Sequence, residues 1–175
     1  MLRYAITSRT LFPGDDSQQK IALLHQCAHW AADGIDFIQL REKDLPARDL
    51  AALARAILGV IPASSKTRLL INSRADVALA TLAHGVHLTA APGELTPTQV
   101  RQLYATAGSA APIITVSCHS PAEVEQARQH QADAILFAPI FGKFVAGKSI
   151  APGLGLDQLR SAALTASPIP IYALG

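Results

Sequence analysis

Arg41 and Lys43 stand two positions apart where an apolar run, Asp36-Phe-Ile-Gln-Leu40, passes abruptly into the alternating charges Arg41-Glu-Lys-Asp44. Side chains at i and i+2 of an extended chain point to the same side, so the pair offers two positive charges to one ligand. That is chemistry suited to an anion. The same residues would also serve as the solvated start of a loop, but their place after a strand favours anion binding, because α/β enzymes bind ligands outside the carboxyl ends of strands.

Other polar groups fall at comparable places: Asn72 and Ser73, Thr89, Ser117 and His119, Lys143 and Gly175. Asn72 either bonds a ligand or closes an Asx turn, and Ser117 faces the same choice. His119 precedes Ser120, a helix cap; an imidazole there could take up or give a proton near neutrality, or be an exposed loop histidine. His84 and His87 straddle a helix end and a strand, so they share no helical face and make no zinc site without further ligands.

Gly142-Lys-Phe-Val-Ala-Gly147-Lys148-Ser149 matches the phosphate-loop pattern G-x-x-x-x-G-K-S in full. The pattern works only where a helix starts at once and turns its amides to the phosphates, and Ile150-Ala-Pro-Gly153 opposes such a helix. The segment reads instead as a basic cover over an anionic ligand, with Lys143 and Lys148 supplying charge.

The elements that must position these groups alternate. Apolar runs at 4–7, 37–41, 68–73, 85–88, 113–118, 134–141 and 169–174 predict strands, and helical spacing at 17–33, 46–59, 75–83, 97–107, 121–131 and 155–165 predicts helices between them. No hairpin signal interrupts the series, so a parallel sheet follows. Thr96-Pro-Thr-Gln99 and Ser120-Pro-Ala-Glu123 each place a hydroxyl cap, a proline at the first helical position and an amide or carboxylate at the third. An open doubly wound sheet and a TIM-type (β/α)8 barrel both accommodate this order. Even spacing favours the barrel, from which about one βα unit is lacking, since a barrel needs roughly eight.

The 175 residues, half of them hydrophobic, suffice for one core, and a single domain over 1–175 is expected. A net charge of +2 without a basic stripe argues against nucleic acid and for a small-molecule partner. No signal-peptide core and no bilayer-length apolar run are present, so no membrane association and a cytoplasmic location are expected. Cys27 and Cys118 suit reduced thiols there, with one disulfide as the alternative. A sheet ending at Gly175 would leave strand edges at 4–7 and 169–174, which predicts either a longer chain or association of copies into a homo-oligomer.

Phe37-Ile-Gln-Leu-Arg-Glu-Lys43, Asn72, Gly85-Val-His-Leu88, Ser117-Cys-His119, Phe137-Ala-Pro-Ile-Phe141 and Gly153-Leu-Gly-Leu156 resemble, in this order along the chain, the thiamine phosphate synthase and TenI family. The resemblance implies a (β/α)8 barrel that binds a thiazole phosphate at the carboxyl ends of its strands. It also implies a choice between two branches. The synthase joins a pyrimidine-methyl pyrophosphate to the thiazole phosphate, with magnesium held by two aspartates. Ser73 and Pro92 stand at those aspartate positions here, and Gly142-Lys-Phe-Val145 replaces threonines that hold pyrophosphate. The TenI branch also lacks the aspartates and includes thiazole tautomerases, which move a proton without a metal; His119 matches the histidine assigned to that step. The resemblance therefore implies a TenI-like thiazole tautomerase. Its catalytic residue would be His119, its substrate contacts Arg41, Lys43, Asn72, Ser117, Lys143 and Gly175, and it would use no cofactor, with magnesium required only under the synthase reading. Two rivals stand: a divergent thiamine phosphate synthase, and a ligand-binding or regulatory barrel without catalysis.

Overall fold

The computed structural model describes residues 3–145 and 148–175, with the backbone alone for 143–145 and 148–151. The chain falls into two compact units, Met1–Val86 and His87–Gly175.

The first unit alternates β1 (Tyr4–Ile6), a 3-10 turn (Arg9–Leu11), α1 (Asp16–Ala32), β2 (Phe37–Leu40), α2 (Ala47–Val60), β3 (Arg68–Asn72) and α3 (Ala75–Thr81), and ends within β4 (Gly85–Leu88). Its strands lie in the order β1-β2-β3-β4. β1 runs parallel to β2 with Ile6 opposite Gln39, and β2 runs parallel to β3 with Leu40 opposite Ile71. Ile38, Leu40, Leu69, Leu70 and Ile71 are all buried, as expected where both faces of a parallel sheet are covered. Leu50, Leu53, Ala54 and Ile57 of α2 repeat at i, i+3, i+4 and i+7 and form its buried stripe. α1 starts in a full capping box: Asp15 accepts from the Gln18 amide and Gln18 accepts from the Asp15 amide, each at 2.9 Å.

The second unit continues with α4 (Pro97–Thr106), β5 (Ile113–Cys118), α5 (Pro121–Gln129), β6 (Ala134–Phe137), β7 (Lys143–Val145), β8 (Lys148–Ala151), α6 (Gly155–Ala166) and β9 (Ile171–Ala173). β5, β6 and β9 are parallel neighbours, with Cys118 opposite Phe137 and Phe137 opposite Ala173. Val124, Ala127, Ile135, Phe137, Ile140, Ala162 and Ala166 form its core. Both predicted caps start helices: Thr96 and Gln99 make a reciprocal capping box, and Ser120 accepts from the Glu123 amide. The Glu123 carboxylate, however, reaches one residue beyond the cap and accepts from the His119 amide at 2.7 Å.

The expectation of no hairpin is corrected, because β7 and β8 pair antiparallel in a sheet of their own. Lys-Phe-Val and Lys-Ser-Ile-Ala are separated by two residues, the second a glycine, which is hairpin spacing. The next helix begins only at Gly155, so the G-x-x-x-x-G-K-S segment leads into a strand rather than into the helix a phosphate loop needs. Several strands also stop short of their predicted ends. β2 ends at Leu40 rather than Arg41, β3 ends before Ser73, whose φ is +54°, and β6 ends at Phe137, two residues before Pro139, which has no N–H to offer a ladder. Among the described residues, no helix is long and apolar enough to cross a membrane.

Candidate functional site

In the first unit the cationic pair sits on an anchored loop. Although β2 ends at Leu40, burial keeps alternating: Arg41 is exposed, Glu42 is 5% exposed and Lys43 is exposed. Glu42 is held from several sides. Its carboxylate accepts from the Thr7 hydroxyl at 2.6 Å, from the Arg9 amide at 3.1 and 3.2 Å and from Arg9 Nη1 at 3.0 Å. The buried Arg9 guanidinium also donates to Asp44 and to Asp16. Those bonds, Asp44 first, raise the Arg9 pKa, while the Arg9 bond holds the Asp44 carboxyl down at about 2. The Arg41 amide in turn donates to Thr7 Oγ1 at 3.0 Å. The Arg41 and Lys43 side chains have no ion-pair partner among the described residues, which leaves both charges available to a ligand.

Asn72 accepts from Gln39 Nε2 at 2.8 Å and donates to Ser73 Oγ at 3.3 Å, so its amide is oriented by the neighbouring strand rather than by an Asx turn. Gln39 is 2% exposed, and its Oε1 has no hydrogen-bond partner among the described residues, leaving a buried acceptor for a donor group. Gln39 was not singled out as a site residue, yet an amide at an inward position of an otherwise apolar strand is itself a signal. His84 accepts from the Leu69 amide at 3.0 Å, and burial, with the nearby Arg68 charge, lowers its pKa. It reads as a packed structural histidine.

In the second unit Ser117 is fixed by a residue that sequence reasoning had weighed only as a metal ligand. His87, 2% exposed, is hydrogen-bonded through Nδ1 to Thr115 Oγ1 at 2.8 Å and through Nε2 to Ser117 Oγ at 2.9 Å. A cavity of about 270 Å3 opens beside Ser117, lined by Thr89, Glu94, Glu123, Gln126 and His130 among others. Glu94 accepts from both the amide and the hydroxyl of Thr89. His119 is exposed, and its Nδ1 lies 2.6 Å from the Ala138 carbonyl oxygen. A carbonyl only accepts, so Nδ1 is the donor, and in the neutral ring Nε2 is the nitrogen with the lone pair. Lys143 belongs to β7 by its backbone, and its side chain lies outside the described residues. Gly175 packs beside the Phe141 backbone and ring, both 3.1 Å from where a Cβ would stand.

Cys27 and Cys118 are both free and buried, and burial pushes each thiol up to about 12, which leaves them protonated and unreactive. For magnesium the donor set is poor. Ser73 contributes a hydroxyl already engaged by Asn72, Pro92 contributes no side-chain donor, and the neighbouring Glu94 carboxylate is taken up by Thr89. Among the described residues, no group of three or more His, Cys, Asp or Glu could hold a metal ion. Magnesium prefers carboxylates alongside substrate phosphates, so these residues do not fit it.

Residues 4–175 match the TMP-TENI family, thiamine monophosphate synthase. The chain is 38% identical over 175 residues to a putative thiamine-phosphate synthase of Geobacter sulfurreducens, covering 98% of this chain and 74% of the relative. It is 36% identical over 144 residues to the thiamine-phosphate synthase of Moorella thermoacetica, covering 82% of this chain and 64% of that one. A solved thiamine phosphate pyrophosphorylase from Pyrococcus furiosus aligns with a TM-score of 0.78 at 24% identity, over 99% of this chain and 74% of its own. That likeness shows the fold, and the fold class is the parallel α/β barrel of TIM type expected from the sequence. With the family model spanning nearly the whole chain, this protein belongs to the thiamine monophosphate synthase (TMP-TENI) family.

Proposed function

We propose that this chain is an enzyme of thiamine biosynthesis acting on a thiazole phosphate, as a thiamine phosphate synthase that couples it to a pyrimidine-methyl pyrophosphate. The observation that carries this reading is the family match over residues 4–175 together with relatives named for that activity. Those names support the synthase over the tautomerase expected from the sequence. Coupling releases pyrophosphate, an anion with several negative charges, and the free side chains of Arg41 and Lys43 on their anchored loop supply positive charge of the kind such a group requires. No step is assigned to magnesium, which the donor set does not fit.

A second reading, thiazole tautomerase, is favoured by one specific observation: the residues at the family's two aspartate positions are Ser73 and Pro92, while the exposed His119 engages the Ala138 carbonyl through Nδ1. Moving a proton needs an acid/base group and no carboxylate-bound metal.

The deciding experiment offers the purified chain both thiazole tautomers, with and without the pyrimidine pyrophosphate. Appearance of thiamine phosphate and pyrophosphate supports the synthase. Interconversion of the tautomers without coupling supports the tautomerase and overturns the first reading, and binding without either reaction leaves a non-catalytic ligand-binding barrel.

A further inference from the structure

The buried Glu42 carboxylate accepts from the Thr7 hydroxyl, the Arg9 amide and the Arg9 guanidinium. Burying an ion pair is seldom more stabilising than packing apolar groups of the same shape, so a buried Arg9–Glu42 pair is weak evidence of a stability device. Its position suggests another role. Arg41 and Lys43 flank Glu42 directly, and each is tied to the same cluster. Thr7 Oγ1 donates to Glu42 and accepts the Arg41 amide, which holds the backbone of the first cation. Lys43 lies between Glu42 and Asp44, both bonded to the one Arg9 guanidinium. Two like charges on a short loop repel each other and would spread if the loop were loose; here the backbone on either side of each is fixed before any ligand arrives.

We infer that Thr7, Arg9, Glu42 and Asp44 are positioning residues that hold the loop backbone carrying Arg41 and Lys43 ready for a multiply charged phosphate anion. This inference rests on the reading of Arg41 and Lys43 as the anion-binding pair, and it holds whether the reaction is coupling or tautomerisation. A preorganised clamp binds more tightly because less freedom is lost on association.

The test measures binding of inorganic pyrophosphate to the whole chain by calorimetry at fixed ionic strength. Arg41→Ala and Lys43→Ala identify the clamp by losing affinity. Glu42→Gln, nearly isosteric, is expected to weaken binding on the order of tenfold while the protein stays folded, because the clamp is loosened rather than removed. Lys43→Ala should then cost little more in the Glu42→Gln background than the single change does. Thr7→Val and Thr7→Ser serve as a second pair that keeps the fold: Thr7→Val weakens binding, and Thr7→Ser restores it by returning the hydroxyl. A folded Glu42→Gln or Thr7→Val protein with parental affinity overturns the positioning role and leaves the clamp intact. If the parent does not bind pyrophosphate, or binds it equally after Arg41→Ala and Lys43→Ala, the clamp reading fails and this inference fails with it.

Discussion

The proton on His119 Nδ1 is committed to the carbonyl oxygen of Ala138, 2.6 Å away, so any proton transfer by this imidazole must use Nε2. His119→Asn can keep the Nδ1-like donor to Ala138 while deleting the Nε2 base. If His119 moves a substrate proton, turnover falls by about 10²-fold or more with little change in ligand affinity. Steady-state kinetics alongside direct binding checks this, and unchanged turnover would return His119 to an exposed loop residue.

Magnesium should bind the unliganded chain poorly, because Ser73 and Pro92 offer no carboxylate. Titration calorimetry with magnesium chloride should show no saturable micromolar binding, and Ser73→Asp should strengthen it. Tight magnesium binding by the parent would show that other residues supply the site.

Acid should loosen the Arg9 cluster in a defined window. Arg9 holds the Asp44 carboxyl well below its ordinary 3.8, at about 2, chiefly through its hydrogen bond. The folded-state value lies below the unfolded one, so the contribution to stability is present above 3.8 and is lost as pH falls toward about 2. Asp44 is largely exposed and solvent screens the pair, so the effect is modest. Urea midpoints measured from neutral pH to pH 2 should converge for the parent and Asp44→Asn at the acid end; a constant difference would show that the pair is not linked to pH.

Gly153→Ala should destabilise the second unit despite the exposure of the site. A Cβ there would stand 2.7 Å from the Gly142 amide nitrogen, the Ile140 carbonyl oxygen and the Phe141 carbonyl carbon, all backbone atoms that cannot rotate away. The adjoining Leu154 and Gly155 amides donate to the Pro139 and Ile140 carbonyls, so the two segments are already at hydrogen-bonding distance. Overpacking of this kind costs about 1–3 kcal/mol, and a thermal melt shows it as a lowered midpoint. A melt identical to the parent's would mean that the segments separate at no cost.

Features that depend on neighbours in sequence were legible without coordinates. Thr96 and Gln99 are three residues apart, the reach of a capping box, and the strand and helix periods depend only on local alternation. The position of the charged pair after an apolar run, and the motifs shared with the family, were readable for the same reason. The sequence by itself thus determined the βα order, most helix starts and the candidate anion-binding residues. Tertiary structure decided which partners those residues have. Arg9 reaches Glu42 and Asp44 across more than thirty residues, Gln39 orients Asn72 from the adjacent strand, and His87 fixes Ser117 in the same way. Such pairs join residues far apart in the chain through the adjacency of strands and the loops that follow them, which turns on packing rather than on any local pattern. The same holds for the His119 tautomer: the side chain was nameable from sequence, but the atom left free to react was decided by where the Ala138 carbonyl came to rest.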